Sequence, residues 1–304
     1  MSAEGHIPAP PGDFVLPFDL PAAGLRGRIV RLDAASARAL SAHALPEPAS
    51  RVLGETLALA AVLGTALKLD GRLTVQTKSN GPLDLVTVDY YGAEDGKPTG
   101  GRGFPRLNDE KFKALGPSPS FEQLMGKGSL AITIEPRTGE QTYQGIVELS
   151  PDGIGASAET YFGQSEQLPT AIRLAAAPLF EAGKSAPSWR AGGIMLQVTP
   201  DAQRSDDDWD RLSLFLKTVE PIELVDTSLP AETLLWRLFH EDETRVLPAE
   251  PIAFRCDCDG DRIASILKSY SAEDRAGLAD PDGVIRARCE FYGPVPAIGK
   301  ARLS

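Results

Sequence analysis

The sequence has little of what catalysis and secretion draw on. Its 304 residues include three histidines, His6, His43 and His240, and three cysteines. No H-E-x-x-H occurs, and no cluster of Ser, His and acid is visible, so zinc-protease and triad chemistry lack their usual signatures. The opening MSAEGHIPAPPGDF has no basic n-region and no apolar run, and no secretory leader is expected. The longest apolar stretch, LALAAVLGTAL (57–67), stops at Lys68; it is too short to span a bilayer and reads as a buried helix, so no membrane partner is expected. Without a leader and with few cysteines, the chain reads as cytoplasmic. In that reducing compartment clustered cysteines serve metals or redox sensing more often than structural disulfides. Positive charge is also short: 31 Lys and Arg face 42 Asp and Glu, for a net charge of -11. That balance disfavours a nucleic-acid partner.

Partial catalytic motifs fail in detail. GKS at 183–185 resembles the end of a P-loop, but the earlier glycine falls on Pro178. GGRG at 100–103 lacks the third glycine of a dinucleotide fingerprint, and GQSEQ at 163–167 ends in Gln where a nucleophile elbow needs Gly. SILK at 265–268 matches S-x-x-K without its companion motifs. An enzyme is therefore the less favoured class.

With 42% hydrophobic and 24% charged residues the chain has the make-up of a globular protein. Residues 1–13 read as a loose tail and 14–200 as an α+β core domain. In the core, 25–33 and 192–200 are strands, 72–79 with 83–91 and 129–136 with 143–150 are strand pairs, and 34–43 is helical. A long apolar helix follows Pro48, from about Ser50 to Leu67, and 156–167 has helical character. Residues 201–250 read as an amphipathic helical linker with two apolar faces. One carries Trp209, Leu212, Phe215 and Leu216; the other carries Leu234, Leu235, Leu238 and Phe239. Neither has an obvious strand to cover. The two helices either pack on the core or form a partly docked surface for a partner.

Residues 251–304 hold all the cysteines. Cys256 and Cys258 flank Asp257, and Cys289 follows after 30 intervening residues. In the insert, Ile263, Ile266, Leu267 and Tyr270 recur at helical spacing; SAED from Ser271 is a capping box; PDG at 281–283 is a turn; and VIRARCEF reads as a strand. So small a unit has little core, and a metal would supply much of its stability. Zinc is the first choice for thiolates. The fourth donor is open between Asp257, Asp259, His240 and water. Tyr292, where C-x-x-C would end, is a poor donor because a phenol ionises near ~10. The alternative is that the three cysteines simply fill apolar space.

Several segments, in order along about residues 14–293, resemble the 33-kDa heat-shock protein family: LRGRIVRLD, LGETLALAAVLGTALKLDGRLTVQTKSNGPL, GGRGF, LMGKGSLAITIEP, YQGIVELS, YFGQSEQLPTAIRLA, AGGIMLQ, LLWRLFHEDETRV, FRCDCDGDRI and CEF. The most specific are YFGQSEQLPT and RLFHE. The resemblance implies a redox-regulated, ATP-independent holdase of the bacterial cytoplasm: a substrate-holding core, a helical linker and a C-terminal zinc domain. In the family four thiolates bind zinc when reduced. Oxidation pairs the cysteines within each motif, expels the metal and unfolds the C-terminal domain and linker, and the exposed surface holds unfolding clients. Dimerisation upon activation is also implied. Cys256, Cys258 and Cys289 fall on the first three ligand positions, and Tyr292 replaces the fourth. Cys256 and Cys258 can still form the proximal disulfide, while Cys289 has lost its distal partner. His240 belongs to the family's RLFHE and is not a purpose-made replacement. The ending GPVPAIGKARLS also departs from the family's aromatic and acidic close. Two further readings remain: a metal-free module that binds clients constitutively, and a zinc- or thiol-dependent enzyme.

Overall fold

Helix α2 (Glu47–Ala66) is buried along nearly its whole length. Its Ala- and Leu-rich sequence favours a helix and, beyond the ion-paired Glu47 and Arg51 in its first turns, leaves no polar face for solvent. The helix begins at Glu47 and takes Pro48 into its first turn, earlier than the start near Ser50 expected from the sequence. A first-turn proline has no intrahelical hydrogen bond to lose, so it fits there. In a computed structural model that describes residues 12–139, 141–180, 183, 187–200, 206–256, 260–282, 284–286 and 288–294, α2 lies between two sheets. Close approach requires glycine: a Cβ on Gly64 would stand 2.1 Å from the Tyr90 ring.

The first sheet is antiparallel, in the order β10–β1–β2–β9–β8. It consists of β1 (Phe14–Leu20), β2 (Leu25–Leu32), β8 (Thr170–Leu179), β9 (Ser188–Val198) and the short β10 (Arg245–Val246), with β11 (Glu250–Pro251) also on β1. The second sheet runs β12–β5–β4–β3–β6–β7. Its strands are β3 (Gly71–Ser79), β4 (Leu83–Tyr91), β5 (Gly100–Leu107), β6 (Gly128–Pro136), β7 (Tyr143–Glu148) and β12 (Ala253–Phe254). It is antiparallel except where β12 joins β5 in parallel. Inner residues such as Leu73, Val75, Val86, Val88, Leu130 and Ile132 pack on α2. The two hairpins expected from the sequence are β3–β4 and β6–β7. The sequence leaves β1, β5 and β8 unassigned. Pro17 interrupts β1, GGRGFPRL in β5 looks like a loop, and the alanines of β8 suggest a helix.

Helix α1 (Ala34–Ser41) starts where the Asp13 carboxylate accepts hydrogen bonds from the Asp33 and Ala35 amides. Asp13 is therefore part of the fold and not of a loose tail; residues 1–11 lie outside the described residues. Two single-turn helices, α3 (Asp109–Lys113) and α4 (Phe121–Met125), connect β5 to β6. Helix α5 (Ile154–Tyr161) continues into a π-helical turn at Phe162–Glu166.

The amphipathic segment does have strands to cover. Helices α6 (Asp206–Lys217), α7 (Pro221–Val225) and α8 (Ala231–Phe239) lie on the outer face of the first sheet. Leu212, Leu216, Leu234, Leu235, Leu238 and Phe239 are buried there, while Trp209 and Phe215 are half-buried. The Phe18 and Phe239 rings stack at 5.8 Å. Arg31 donates to the Glu223 carbonyl at 3.0 Å and to the Asp226 carbonyl, tying α7 to β2. Between Phe239 and Pro251 the chain is not helical: it turns and pairs on β1 as β10 and β11, because a sheet edge offers backbone partners that an isolated helix end does not.

The last unit contains α9 (Gly260–Lys268), α10 (Ala272–Leu278), and a two-residue hairpin, β13 (Arg288–Cys289) with β14 (Gly293–Pro294). Ser271 caps α10, its hydroxyl accepting from the Asp274 amide. The expected apolar face is only partly used. Ile263, Ala264, Leu267 and Ile285 pack together, but Ile266 and Tyr270 are 53% and 47% exposed, since among the described residues the unit has no second layer to cover them. Among the described residues of VIRARCEF, the strand is confined to the two of β13.

Replacing Phe239 by Ala should cost about 3–5 kcal/mol through the cavity beside Phe18. Denaturant titration followed by circular dichroism measures it; an unchanged midpoint would show that α8 contributes little to holding this face.

Candidate thiol and metal centre

The centre is built on the outer face of the second sheet, beside β5. Alternation along β5 turns Gly103 and Pro105 inward and Arg102 and Phe104 outward. On β4 the same alternation turns Asp89 outward, yet it is only 4% exposed. A buried carboxylate needs partners. Thr74 Oγ1 donates to it at 2.8 Å, and Arg102 donates from Nε at 3.0 Å and a terminal nitrogen at 2.9 Å. The other terminal nitrogen of Arg102 donates to Cys256 Sγ at 3.4 Å, and the guanidinium lies 3.9 Å from the Phe291 ring centre. Burial opposes the charge on Arg102. Its bonds to Cys256 and Asp89 and the nearby Tyr91 outweigh that cost and hold its pKa above the ordinary arginine value.

Cys256 reaches this place because the chain before it is fixed to the sheet. The Ala253 amide donates to Thr99 O and the Arg255 amide to Gly101 O, both at 3.0 Å. The Arg255 side chain is buried, donating to Gly92 O at 2.9 Å and pairing with Glu94. The 288–294 hairpin docks beside it. Phe291 packs 6.1 Å from Phe104, which meets the His43 ring at 6.0 Å. A His43 ring nitrogen lies 3.2 Å from Gly103 O, and burial lowers its pKa.

This docking brings the buried Cys289 to Cys256, with their sulfurs 3.7 Å apart. That is near the ~3.8 Å edge of a tetrahedron of sulfurs around zinc at a Zn–S distance of ~2.3 Å. The two thiols thus fit two corners of a zinc thiolate site. Cys258, with Asp257 and Asp259, lies outside the described residues. Among the described residues no group of three or more His, Cys, Asp or Glu is gathered as for a metal. His240, offered by the sequence as a fourth donor, ends α8 over the first sheet with its ring 5.2 Å from Trp236, and is not brought to the thiols. Tyr292 lies with its ring centre 5.6 Å from the Arg38 guanidinium.

Sequence reasoning missed Arg102, Asp89, Arg255 and Phe291. The available signal was the charged outward position in GGRGF and in LDLVTVDYY, each on a strand whose other face is apolar.

Two sheets sharing one buried helix, with a cysteine-bearing hairpin docked on one of them, define an α+β protein with a thiol centre. Residues 13–294 match the model of the Hsp33 protein family, and the chain belongs to that family. It is 38% identical over 286 residues to the 33 kDa chaperonin of Caulobacter vibrioides, covering 92% of each chain. It is 35% identical over 269 residues to that of Shewanella loihica, covering 88% of this chain and 86% of the relative. Its fold is similar to the crystal structure of the 33 kDa chaperonin from Thermotoga maritima, with a TM-score of 0.74 and 19% identity over 95% of this chain and 96% of that one.

Replacing Arg102 by Ala leaves Asp89 buried without its cation, and the expected destabilisation is about 3 kcal/mol or more. The amides of Ala253 and Arg255 should exchange faster in hydrogen–deuterium exchange, and a thiol reagent should modify Cys256 faster. Wild-type exchange at both amides would show that Arg102 is not an anchor.

Proposed function

We propose that the chain is an ATP-independent holdase that binds unfolding proteins under oxidative stress in the cytoplasm, with a redox switch altered by the loss of one cysteine. The approach of Cys256 and Cys289 to 3.7 Å carries this reading, because it joins sequence-distant thiols in a reactive pair instead of burying them separately. The chaperonin name of the Caulobacter and Shewanella relatives supports the holding role.

Cys256, Cys258 and Cys289 would hold a zinc ion, with no fourth protein donor assigned. When bound, the ion supplies a cross-link that the few apolar residues around Ala264 and Leu267 do not replace. Arg102 keeps Cys256 on β5, and Arg255 keeps the preceding strand in place. Oxidation of Cys256 and Cys258 forms one S–S bond; the two thiols lose two protons and two electrons, and a peroxide accepts them to leave as two waters. The Cys289 thiol, left outside that bond, is oxidised by a second peroxide to a sulfenic acid with release of one water, and the sulfenic acid condenses with another thiol to a mixed or intermolecular disulfide, releasing a further water. Release at Cys256 loosens β12, then β11 and β10, which lead back to α6–α8. The face those helices cover carries Leu16, Phe18, Leu25, Ile29 and Leu196, an apolar surface for unfolding clients.

With one thiolate fewer, zinc binds more weakly and holding depends less on oxidation. Protein purified under reducing conditions should carry about one equivalent of zinc, lose it on peroxide treatment, and suppress client aggregation better afterwards. If neither reduced nor oxidised protein suppresses aggregation, the holdase reading falls. Tyr292→Cys supplies a fourth thiolate and should raise zinc affinity about tenfold or more, with activity tied more tightly to oxidation. Competition with a chromogenic chelator measures the affinity; an unchanged value would show that position 292 does not face the metal.

A further inference from the structure

Each sheet of the core ends in edge strands, and three of the four edges carry pairing strands or side-chain caps along part of their length. On the first sheet, β10 and β11 cover β1. At the far edge of that sheet, β8 is capped by side chains: Glu159 accepts from the Ile172 amide at 2.6 Å, and Arg51 donates to Ala176 O at 2.9 Å. On the second sheet, β12 pairs with Gly100 and Gly101 at the start of β5, and a His43 ring nitrogen lies 3.2 Å from Gly103 O further along it. The remaining edge is β7, paired only with β6. Among the described residues, no side chain caps its backbone. Its exposed positions include Ile146 at 60% and Tyr143 at 43%, with Glu148 the single charge along it. Open strand edges are normally blunted by lysines, proline or a covering element, because they accept another strand.

A cavity of about 420 Å³ opens at the Tyr143 end of this edge, where α2 stops between the sheets. Its floor is apolar, with Leu63, Leu73, Ile132 and Ile134, and Leu67 stands 49% exposed at its mouth. Its polar groups are of both signs and are held in place. Arg26 donates to Gln197 on the first-sheet wall, and Glu166 accepts from Tyr143 and Tyr161 on the other. The mouth is also shaped by the π-helical turn at Phe162–Glu166 and by left-handed backbone at Lys68 and Gln167, non-glycine residues with φ of 47° and 56°. Strained backbone of this kind concentrates at binding sites.

We infer that β7 is a docking edge for an extended, unfolded polypeptide, which adds as a seventh strand and places one large apolar side chain in the adjoining cavity. The occupant follows from the groups on offer. An open strand edge supplies main-chain hydrogen bonds, which any sequence can use, and the cavity supplies one apolar anchor. In a strand paired to β7, the residue opposite Tyr143 points to the same face as Tyr143, toward the cavity. Cavity charges of both signs do not select a charged ligand. This inference rests on the holdase reading and gives it a second client surface, independent of the face covered by α6–α8.

The test uses the full chain and a short fluorescein-labelled peptide of alternating Val and Thr with one central Phe, followed by fluorescence anisotropy. Leu67→Glu puts a charge at the cavity mouth and Ile146→Lys puts one on the edge; both sites are exposed, and circular dichroism checks the fold. Each variant should weaken binding about fivefold or more, as expected for loss of one apolar contact or blunting of an edge. Leu214→Lys, at an exposed site on α6, should bind as wild type. Aggregation suppression is measured on the same samples. If the wild type holds clients but Leu67→Glu and Ile146→Lys bind peptide unchanged, or a photoreactive Phe analogue labels only residues away from β7 and the cavity, this inference is overturned and the holdase reading stands. If the wild type neither binds peptide nor holds clients, both fall.

Discussion

Burial of α2 on both sides is the constraint from which the rest of the molecule follows. A helix that is apolar beyond its first turns must be covered on nearly all sides, and two sheets do so. Each sheet then has an outer face and two edges to account for. The first sheet's outer face is apolar and is covered by α6–α8. The second sheet's outer face is polar, with Thr74, Gln76, Thr87 and Asp89 on it, and carries the thiol centre. The two outer surfaces thus differ in kind: one is an apolar layer under three helices, the other a polar platform on which the two thiols meet.

The thiol unit depends on this platform more than on itself. Among the described residues its own core is a few apolar side chains, which is too little to fold alone. What positions the sulfurs is the parallel strand β12, the buried Arg255 and the Asp89–Arg102 pair. A buried ion pair contributes little net stability but fixes geometry closely. Here it aims a guanidinium at Cys256 and stacks it on Phe291, so that the hairpin carrying Cys289 has one place to sit. The path from Cys256 back to α8 is continuous through β12, β11 and β10, each held only by a few pairings. The thiols and the helical cover are thus joined by short elements of low intrinsic stability.

Local pattern made much of this legible. The α+β class, the two hairpins, α2, the apolar faces of α6 and α8 and the Ser271 cap all follow from periodicity or capping residues. The strands that stayed hidden have compositions that imitate something else: glycines in β5, alanines in β8, a proline in β1. Their strand state comes from neighbours that supply hydrogen bonds and a packed face, which propensity does not register. Helix α9 shows the opposite error, since helical spacing places Ile266 and Tyr270 near the core while too little structure exists to cover them.

The sequence by itself determined the chemistry available: three cysteines, a tyrosine where a fourth would stand, no catalytic histidine cluster, and an amphipathic stretch between core and cysteines. Those are properties of residue type and spacing along the chain. Only the tertiary structure decided that Cys289 meets Cys256, that Arg102 and Asp89 hold them to the second sheet, and that His240 sits elsewhere. The contacts of Cys256 with Cys289 and with Arg102 join residues 33 and 154 positions apart, and they are set by which strand faces outward beside which. Strand order and facing are collective outcomes of burying α2, and no local stretch of sequence encodes them.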